Sequence, residues 1–202
     1  MSSKRSLLAF AAFALIGLTA VLLIAQFSRP YTLRGSQITP PLPAPEINLP
    51  DQHGSPFRIA DQQGKIVLIF FGYTHCPDVC PVTLSEYKQL RQQFERDAQN
   101  IRFVFISVDP QRDTPELMAR HLANVHPDIL GITGSEEQLQ PVWQAYGVTR
   151  TVNPVEGASG YLVDHTARTY LIDTHGNLRA TYPFGMDIAN LAADIRYLLT
   201  EK

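Results

Sequence analysis

The hydrophobic positions begin with one long uncharged run, Leu7 to Phe27, and then recur in shorter blocks. At a rise of about 1.5 Å per residue, a helix over this run would match the roughly 30 Å hydrocarbon core of a bilayer. We therefore predict a single-pass membrane anchor over 7–27, behind a tail over 1–6. A cleaved signal peptide is the alternative, but signal peptides usually have an apolar core of only about 7–15 residues.

The charges on either side of this anchor favour one orientation. Lys4 and Arg5 lie in the short tail, beside the α-amino group and without an acidic residue, whereas Arg29 and Arg34 follow the apolar run. This balance favours a cytoplasmic tail and a domain on the far side of the inner membrane. In a bacterium that domain would lie in the periplasm, which is an oxidising compartment.

The segment that follows the anchor is rich in proline. Five prolines fall between Pro40 and Pro50. Because proline favours extended backbone and donates no hydrogen bond, we expect a stiff tether over 28–50. The folded domain would then occupy 51–202, beginning with a turn at Asp51.

Within that domain, apolar blocks typical of strands alternate with amphipathic patterns typical of helices. A continuous apolar run predicts a strand that is buried on both faces of a sheet. The predicted elements are strands over 66–71 and 101–108, helices capped by Thr114 and Ser135, a surface loop over 151–160, a hairpin over 170–182 and a final helix over 187–199. This order predicts an α/β, thioredoxin-like fold in which helices flank a central mixed sheet.

Composition and charge exclude several classes of protein. The chain is 45% hydrophobic and 18% charged, which excludes intrinsic disorder. Its formal net charge is −2 and no basic cluster occurs, so we expect no nucleic-acid partner. Only two cysteines are present, which excludes a scaffold held by several disulfides.

Both cysteines, Cys76 and Cys80, lie directly after the predicted buried strand, where a helix opens. At helical spacing, residues i and i+4 face the same side, so the two sulfurs can converge. The positive end of the helix dipole favours thiolates there. A redox dithiol and a metal site both remain open, although the C-x-x-x-C spacing differs from the C-x-x-C of thioredoxin-type oxidoreductases. Thiolates select Cu(I) or zinc, and either ion would need a further ligand.

Histidine is the natural candidate for that ligand. Of the six in the sequence, His165 stands out because it interrupts an apolar stretch just before the 170–182 hairpin, in a loop that would face the cysteines. His75 adjoins Cys76, but neighbouring side chains generally point apart. The remaining four are expected at the solvated surface: His53, His121, His126 and His175.

At this point the sequence resembles the Sco/SenC copper chaperones, over residues from about 40 to 200. Three separated motifs carry the resemblance and occur in the order of that family. They are Gly72–Pro81 (GYTHCPDVCP), Phe105–Pro115 (FISVDPQRDTP) and Val163–Asp173 (VDHTARTYLID).

The resemblance implies a thioredoxin-like domain on a membrane anchor, facing outward, that binds one copper ion through Cys76, Cys80 and His165. Two thiolates and an imidazole suit Cu(I) and can adapt to Cu(II). The implied partner is the copper-bearing subunit of cytochrome c oxidase, whose binuclear centre such proteins help to assemble. A second periplasmic copper carrier or a thiol reductase is a further candidate partner.

Two acidic residues match positions in the family motifs. Asp78 lies between the cysteines, and Asp109 follows the 101–108 strand. Each could act around the metal or toward a partner. Each could equally be local, with Asp78 capping the helix start and Asp109 capping a turn.

Three other functions compete with copper delivery. A thiol–disulfide reductase would use the same thiols, with Cys76 attacking and the disulfide forming to Cys80. A thioredoxin-like peroxidase would need a threonine near the reactive cysteine; Thr74 lies two residues before Cys76 rather than three, and no arginine is clearly placed beside the thiolate. A zinc module is the third, because Cys₂His zinc sites exist.

Overall fold

The computed structural model of the chain describes residues 13–22, 31–155 and 160–201. They belong to two units, Met1–Thr32 and Leu33–Lys202. In the first unit, residues 13–22 are helical. Among the described residues, no helix has both the length and the apolar character needed to cross a bilayer. The predicted tail and the remainder of the predicted anchor lie outside the described residues.

The second unit is built on strands and helices that alternate along the chain. Its described strands are β1 (Ser36–Pro43), β2 (Asn48–Pro50), β3 (Pro56–Arg58), β4 (Ile66–Gly72), β5 (Ile101–Ser107), β6 (Ile129–Ile132), β7 (Arg150–Pro154), β8 (Tyr161–His165), β9 (Arg168–Ile172) and β10 (Asn177–Pro183). The helices are α1 (Val79–Phe94), α2 (Pro115–Ala123), α3 (Glu136–Ala145) and α4 (Ile188–Thr200), with 3₁₀ turns at Ile59–Gln62 and Glu95–Asn100.

Six of these strands form one mixed sheet. Its order is β1-β10-β9-β4-β5-β6; β4, β5 and β6 run parallel, and the other neighbours pair antiparallel. Every residue of β4 is buried, so this central strand is covered on both faces, as its apolar run predicts. Helix α1 adds Leu84, Tyr87 and Leu90 to the core. The predicted α/β, thioredoxin-like architecture is therefore confirmed.

Local signals in the sequence also place the helix starts correctly. Thr114 Oγ1 accepts a hydrogen bond from the Leu117 backbone N–H at 3.2 Å, with proline at the first helical position. At the next helix, Ser135 donates its backbone N–H to Gln138 Oε1 at 2.9 Å, as a capping box requires. Asp187 caps α4 by accepting from the Ala189 N–H.

The proline-rich segment, in contrast, is part of the sheet. Strand β1 contains Pro40 and Pro41 and pairs with β10 at the sheet edge. Its register shifts between Gln37 and Leu42, which is where these prolines lie. An edge strand accommodates proline because one side of its backbone needs no partner. Proline at this position therefore marks a protected sheet edge.

Burial shows where the domain begins. Leu33 and Ile47 are both buried in the second unit. The tether predicted over 28–50 is therefore wrong from Leu33 onward, and the domain starts there instead of at Asp51. Residues 28–30 lie outside the described residues.

The loop predicted over 151–160 is also wrong in its first half. β7 pairs antiparallel with β8, joining Arg150 to His165 and Pro154 to Tyr161. These two strands form a small sheet apart from the main one. The mostly exposed positions of β7 show no buried alternation, which is why its sequence reads as a loop. Residues 156–159 lie outside the described residues.

Candidate metal centre

The antiparallel pairing of β4 and β9 determines which loops meet. Phe70 of β4 pairs with Thr169 of β9. The chain that leaves β4 and the chain that enters β9 therefore lie at the same end of the sheet. The first carries Cys76 and the second carries His165, which is the last residue of β8.

Three possible metal ligands converge at this end. One ligand atom each from Cys76, Cys80 and His165 lies within 4.8 Å of the others. Both cysteines are free thiols. Cys80 is buried in the first turn of α1, but Cys76 precedes that helix, which begins at Val79. The loop, rather than helical spacing, thus brings the sulfurs together, and the Cys80 N–H donates to Cys76 Sγ at 3.4 Å.

The pKa values of the two thiols are shifted in opposite directions. A hydrogen bond from the Cys80 thiol, helped by His165 and by backbone N–H groups, lowers the pKa of Cys76 to about 4. The same hydrogen bond, together with burial, raises the pKa of Cys80 well above its usual range. Near neutral pH the metal-free pair therefore holds one thiolate and one thiol.

The imidazole of His165 is oriented with one nitrogen toward the sulfurs. Nδ1 lies 3.2 Å from the carbonyl oxygen of Thr166, which can only accept, so Nδ1 carries the proton. Nε2, the nitrogen on the side of the sulfurs, lies 3.8 Å from Cys80 Sγ. Phe70 and Tyr73 both meet the ring edge-on, with centroids 6.0 and 5.9 Å away. In metal sites, a contact like the one from the Thr166 carbonyl oxygen holds the proton on one ring nitrogen and leaves the other nitrogen for the metal.

A buried carboxylate holds the start of the cysteine loop. Asp113 accepts hydrogen bonds from the backbone N–H of Thr74 at 3.1 Å and from its hydroxyl at 2.6 Å. Its second oxygen accepts from Ser107 Oγ at 2.6 Å. Burial raises the pKa of Asp113, while these hydrogen bonds oppose that rise. The loop before Cys76 is therefore tied to the end of β5.

Asp78 lies at the mouth of the site. A cleft of about 330 Å³ contains Cys76 and His165, and Asp78 and Leu162 are part of its wall. Asp78 is exposed and occupies the N-cap position of α1, but its side chain makes no capping hydrogen bond. Its carboxylate thus faces solvent beside the ligands, and the local capping role considered for it is absent.

Asp109 is buried and is not part of the ligand cluster among the described residues. It forms an ion pair with Arg112 Nε and accepts a hydrogen bond from the Tyr161 hydroxyl at 2.8 Å. Its side chain thus ties two elements together instead of merely capping the turn after β5. Nothing local in the sequence indicates the contact between Arg112 and Tyr161, because the two residues are 49 positions apart.

The remaining histidines do not join the ligand cluster of the described residues. His75 is exposed, and its Nδ1 lies 3.0 Å from Thr74 Oγ1. The prediction that His121 lies at the solvated surface is wrong. Its ring centre lies 6.4 Å from that of Phe105, and its Nε2 is buried. Burial lowers the pKa of His121. Its place on the inner side of α2 was hidden because histidine is counted as polar in a helical pattern.

Comparison with known proteins places these features in a family. The family model described as SCO1/SenC matches residues 39–200. A curated SCO2-like protein of Rickettsia felis is 36% identical over 132 residues, which cover 65% of this chain and 64% of the relative, so the match spans just under two thirds of that protein.

Solved structures give the same result. Bradyrhizobium japonicum ScoI with copper bound has a TM-score of 0.71 and 36% identity, covering 77% of this chain and 99% of that one. Apo Sco1 from Thermus thermophilus has a TM-score of 0.73 and 35% identity, covering 84% and 98%. With a matching family model over most of its length, the chain belongs to the SCO1/SenC family.

Proposed function

We propose that the protein is a copper chaperone that binds one copper ion through Cys76 Sγ, Cys80 Sγ and His165 Nε2. The observation that carries this proposal is the convergence of these ligand atoms within 4.8 Å. Two sulfurs and one imidazole nitrogen form a soft set suited to Cu(I), which accepts three ligands, and the set can adapt to Cu(II). The copper held by the related ScoI structure supports the same choice.

The shape of the site suits transfer as well as binding. Cys76 and His165 open into the cleft, while Cys80 is buried behind them. An incoming thiolate can therefore reach the metal before all three ligands have released it. We propose that the acceptor is the copper-bearing subunit of cytochrome c oxidase, and that another periplasmic copper carrier or a thiol reductase acts with it.

We also propose where the protein lies in the cell. Residues 7–27 would anchor the chain in the inner membrane, with the tail over 1–6 in the cytoplasm and the domain in the periplasm. The uncharged 21-residue run supports an anchor, and the charges of Lys4 and Arg5 support this orientation.

Thiol–disulfide reduction is the second candidate, and the unequal thiols favour it. The Cys76 thiolate would attack an acceptor disulfide, forming a mixed disulfide and releasing one acceptor thiolate. Cys80 would then lose its proton and attack Cys76, closing an internal disulfide and releasing the second acceptor thiol. The acceptor gains two electrons and the chaperone loses two. A peroxidase is less well supported, because Thr74 donates its hydroxyl to Asp113 instead of facing a peroxide.

One experiment separates the two candidates. Cu(I)-loaded full-length protein is mixed with the metal-free acceptor subunit, whose cysteines have been reduced beforehand, and copper on each protein is measured after separation. In a parallel reaction, the metal-free reduced protein meets the oxidised acceptor, and new acceptor thiols are counted by labelling. His165→Ala removes a proposed ligand but keeps both thiols, and His75→Ala is its matched control.

A copper chaperone would load the reduced acceptor, His165→Ala would fail to do so, and His75→Ala would behave as the unmodified protein. Reduction of the oxidised acceptor would still occur in His165→Ala, because both thiols remain. If no copper moves while the oxidised acceptor is reduced, the reductase becomes the function.

A further inference from the structure

The ligand His165 is carried by an element that the main sheet does not support. It is the last residue of β8, which pairs only with β7, and within this hairpin Val163 is the one buried residue among those described. An isolated pair of short strands is marginally stable in water. Contacts from the rest of the domain must therefore fix the hairpin.

Arg112 supplies several of these contacts. Its Nη1 donates to the carbonyl oxygen of Tyr161 at 3.0 Å, and its guanidinium carbon lies 3.6 Å from the centre of the Tyr161 ring. Asp109 completes the arrangement by pairing with Arg112 and accepting from the Tyr161 hydroxyl. The side chains of Asp109 and Arg112 are only 1% and 16% exposed, so water screens this ion pair weakly.

Tyr73 connects this contact to the ligand itself. Its hydroxyl accepts a hydrogen bond from the Val163 backbone N–H at 3.2 Å, and its ring meets the His165 imidazole edge-on. The Arg112 guanidinium lies 5.6 Å from the centre of the same ring. One guanidinium thus contacts the hairpin at Tyr161 and the aromatic ring that borders His165.

We propose that Asp109 and Arg112 are positioning residues, which hold the β7–β8 hairpin against the end of β5 so that His165 faces the cysteines before copper arrives. This inference rests on the proposed function, because it takes His165 as a copper ligand. When only part of the population has its hairpin in place, the apparent affinity falls by that fraction. Neither residue needs to touch the metal.

Hydrogen exchange of the metal-free protein tests whether Arg112 holds the β7–β8 hairpin in place. Arg112→Ala should speed exchange of the Val163 amide by about tenfold or more, because local opening becomes easier. The Leu68 amide of β4 reports global unfolding and corrects for it. Arg179→Ala is the matched control: the Arg179–Asp173 pair is 15% and 3% exposed but lies at the β9–β10 turn.

Tyr161→Phe provides a milder variant, since it removes only the hydroxyl that bonds Asp109. It should accelerate Val163 exchange in the same direction as Arg112→Ala but by less. Unchanged exchange in both variants, or equal acceleration by Arg179→Ala, would overturn the inference. Hydrogen exchange is measured without copper, so its result tests the positioning role even if the proposed function is wrong.

A double-mutant cycle tests the link to the ligand. Arg112→Ala should weaken Cu(I) binding by about tenfold, as expected if most molecules then have a displaced hairpin. In a His165→Ala background the same change should cost nothing further, because the group being positioned is gone. Independent, multiplying losses would show that Arg112 does not act through His165. Failure of the unmodified protein to bind Cu(I) would instead refute the proposed function.

Discussion

The sulfur atoms of Cys76 and Cys80 differ because of what surrounds each one. Cys76 is half-buried and receives hydrogen bonds from Cys80 and from backbone N–H groups, which stabilise its thiolate. Cys80 is buried beside that negative charge, which stabilises its thiol. If both sulfurs bind copper as proposed, the site loses one proton, that of Cys80, at neutral pH.

This difference predicts the pH dependence of thiol alkylation in the reduced, metal-free protein. The pKa of Cys76 is lowered from the usual thiol range to about 4, so Cys76 is ionised at every pH above that value. Its reaction with iodoacetamide should be flat between about pH 6 and pH 8 and should fall as the pH drops through the Cys76 pKa. Mass spectrometry of the labelled peptides measures it.

Cys76→Ser is the control, because it leaves only the buried Cys80 and should react slowly at neutral pH. A midpoint in the ordinary thiol range, near pH 8.5, would contradict the thiolate assignment.

For single residues, the sequence predicts that Cys76 and Cys80 form a site, but it does not predict which side chains surround them. Their position between a buried strand and a helix is a local pattern, and it is sufficient to indicate chemistry. The sequence position of His165 makes it a candidate, but its assignment as a ligand needs the family resemblance, because the approach of residues 85 positions apart depends on the β4–β9 pairing. The contacts of His165 with Tyr73 and Thr166 follow from that pairing and have no signature of their own.

Among the elements, the end of β4 has little room beside Cys80. A Cβ added to Gly72 would lie 2.8 Å from Cys80 Sγ and 2.7 Å from the Phe105 ring. Both neighbours are buried. Close packing against Gly72 thus determines the position of the buried Cys80 side chain.

Gly72→Ala should therefore lower the free energy of unfolding by about 1–3 kcal/mol, which is typical of an overpacked core, and should also weaken metal binding by displacing Cys80. Urea denaturation measures the first effect. Gly134→Ala is the control, because the Cβ there would meet the end of the Gln138 side chain, which can move aside at the cost of one capping hydrogen bond. Equal losses in the two variants would show that Gly72 is not under special constraint.

Strand β1 shows why element boundaries were harder to predict. Its prolines indicate extended chain correctly, but extended chain occurs both in tethers and at sheet edges. The deciding contacts are distant in sequence: Asp194 accepts hydrogen bonds from the backbone N–H groups of Arg34 and Gly35 at 2.7 and 3.3 Å.

This assignment predicts the effect of truncation. A chain that starts at Asp51 loses β1, the buried Leu33 and Ile47, and two hydrogen bonds to Asp194. Its free energy of unfolding should be lower by at least about 3 kcal/mol. A chain that starts at Tyr31 should match the same domain in the full-length protein. If both truncated chains have the same denaturation midpoint, β1 does not belong to the domain's stable structure.

For the whole molecule, the sequence predicts the main sheet better than the additions to it. The buried runs of β4 and β5 and the Thr114 cap are strong local signals, and the structure confirms them. The β7–β8 hairpin has no such signal, since it packs through Arg112 and Tyr73 instead of an apolar face. The molecule thus combines a predictable scaffold with a hairpin that carries the proposed ligand His165 and that only tertiary contacts define.

Taken together, these features form the proposed Cu(I) site of two sulfurs and one histidine. The most direct measurement is an anaerobic titration of the reduced full-length protein against a chromophoric Cu(I) chelator, beside His165→Ala and His75→Ala. We expect one copper per chain, an affinity at least about tenfold weaker in His165→Ala, and no change in His75→Ala. Binding that is indifferent to His165, or weakened equally by the two variants, would contradict the proposed site.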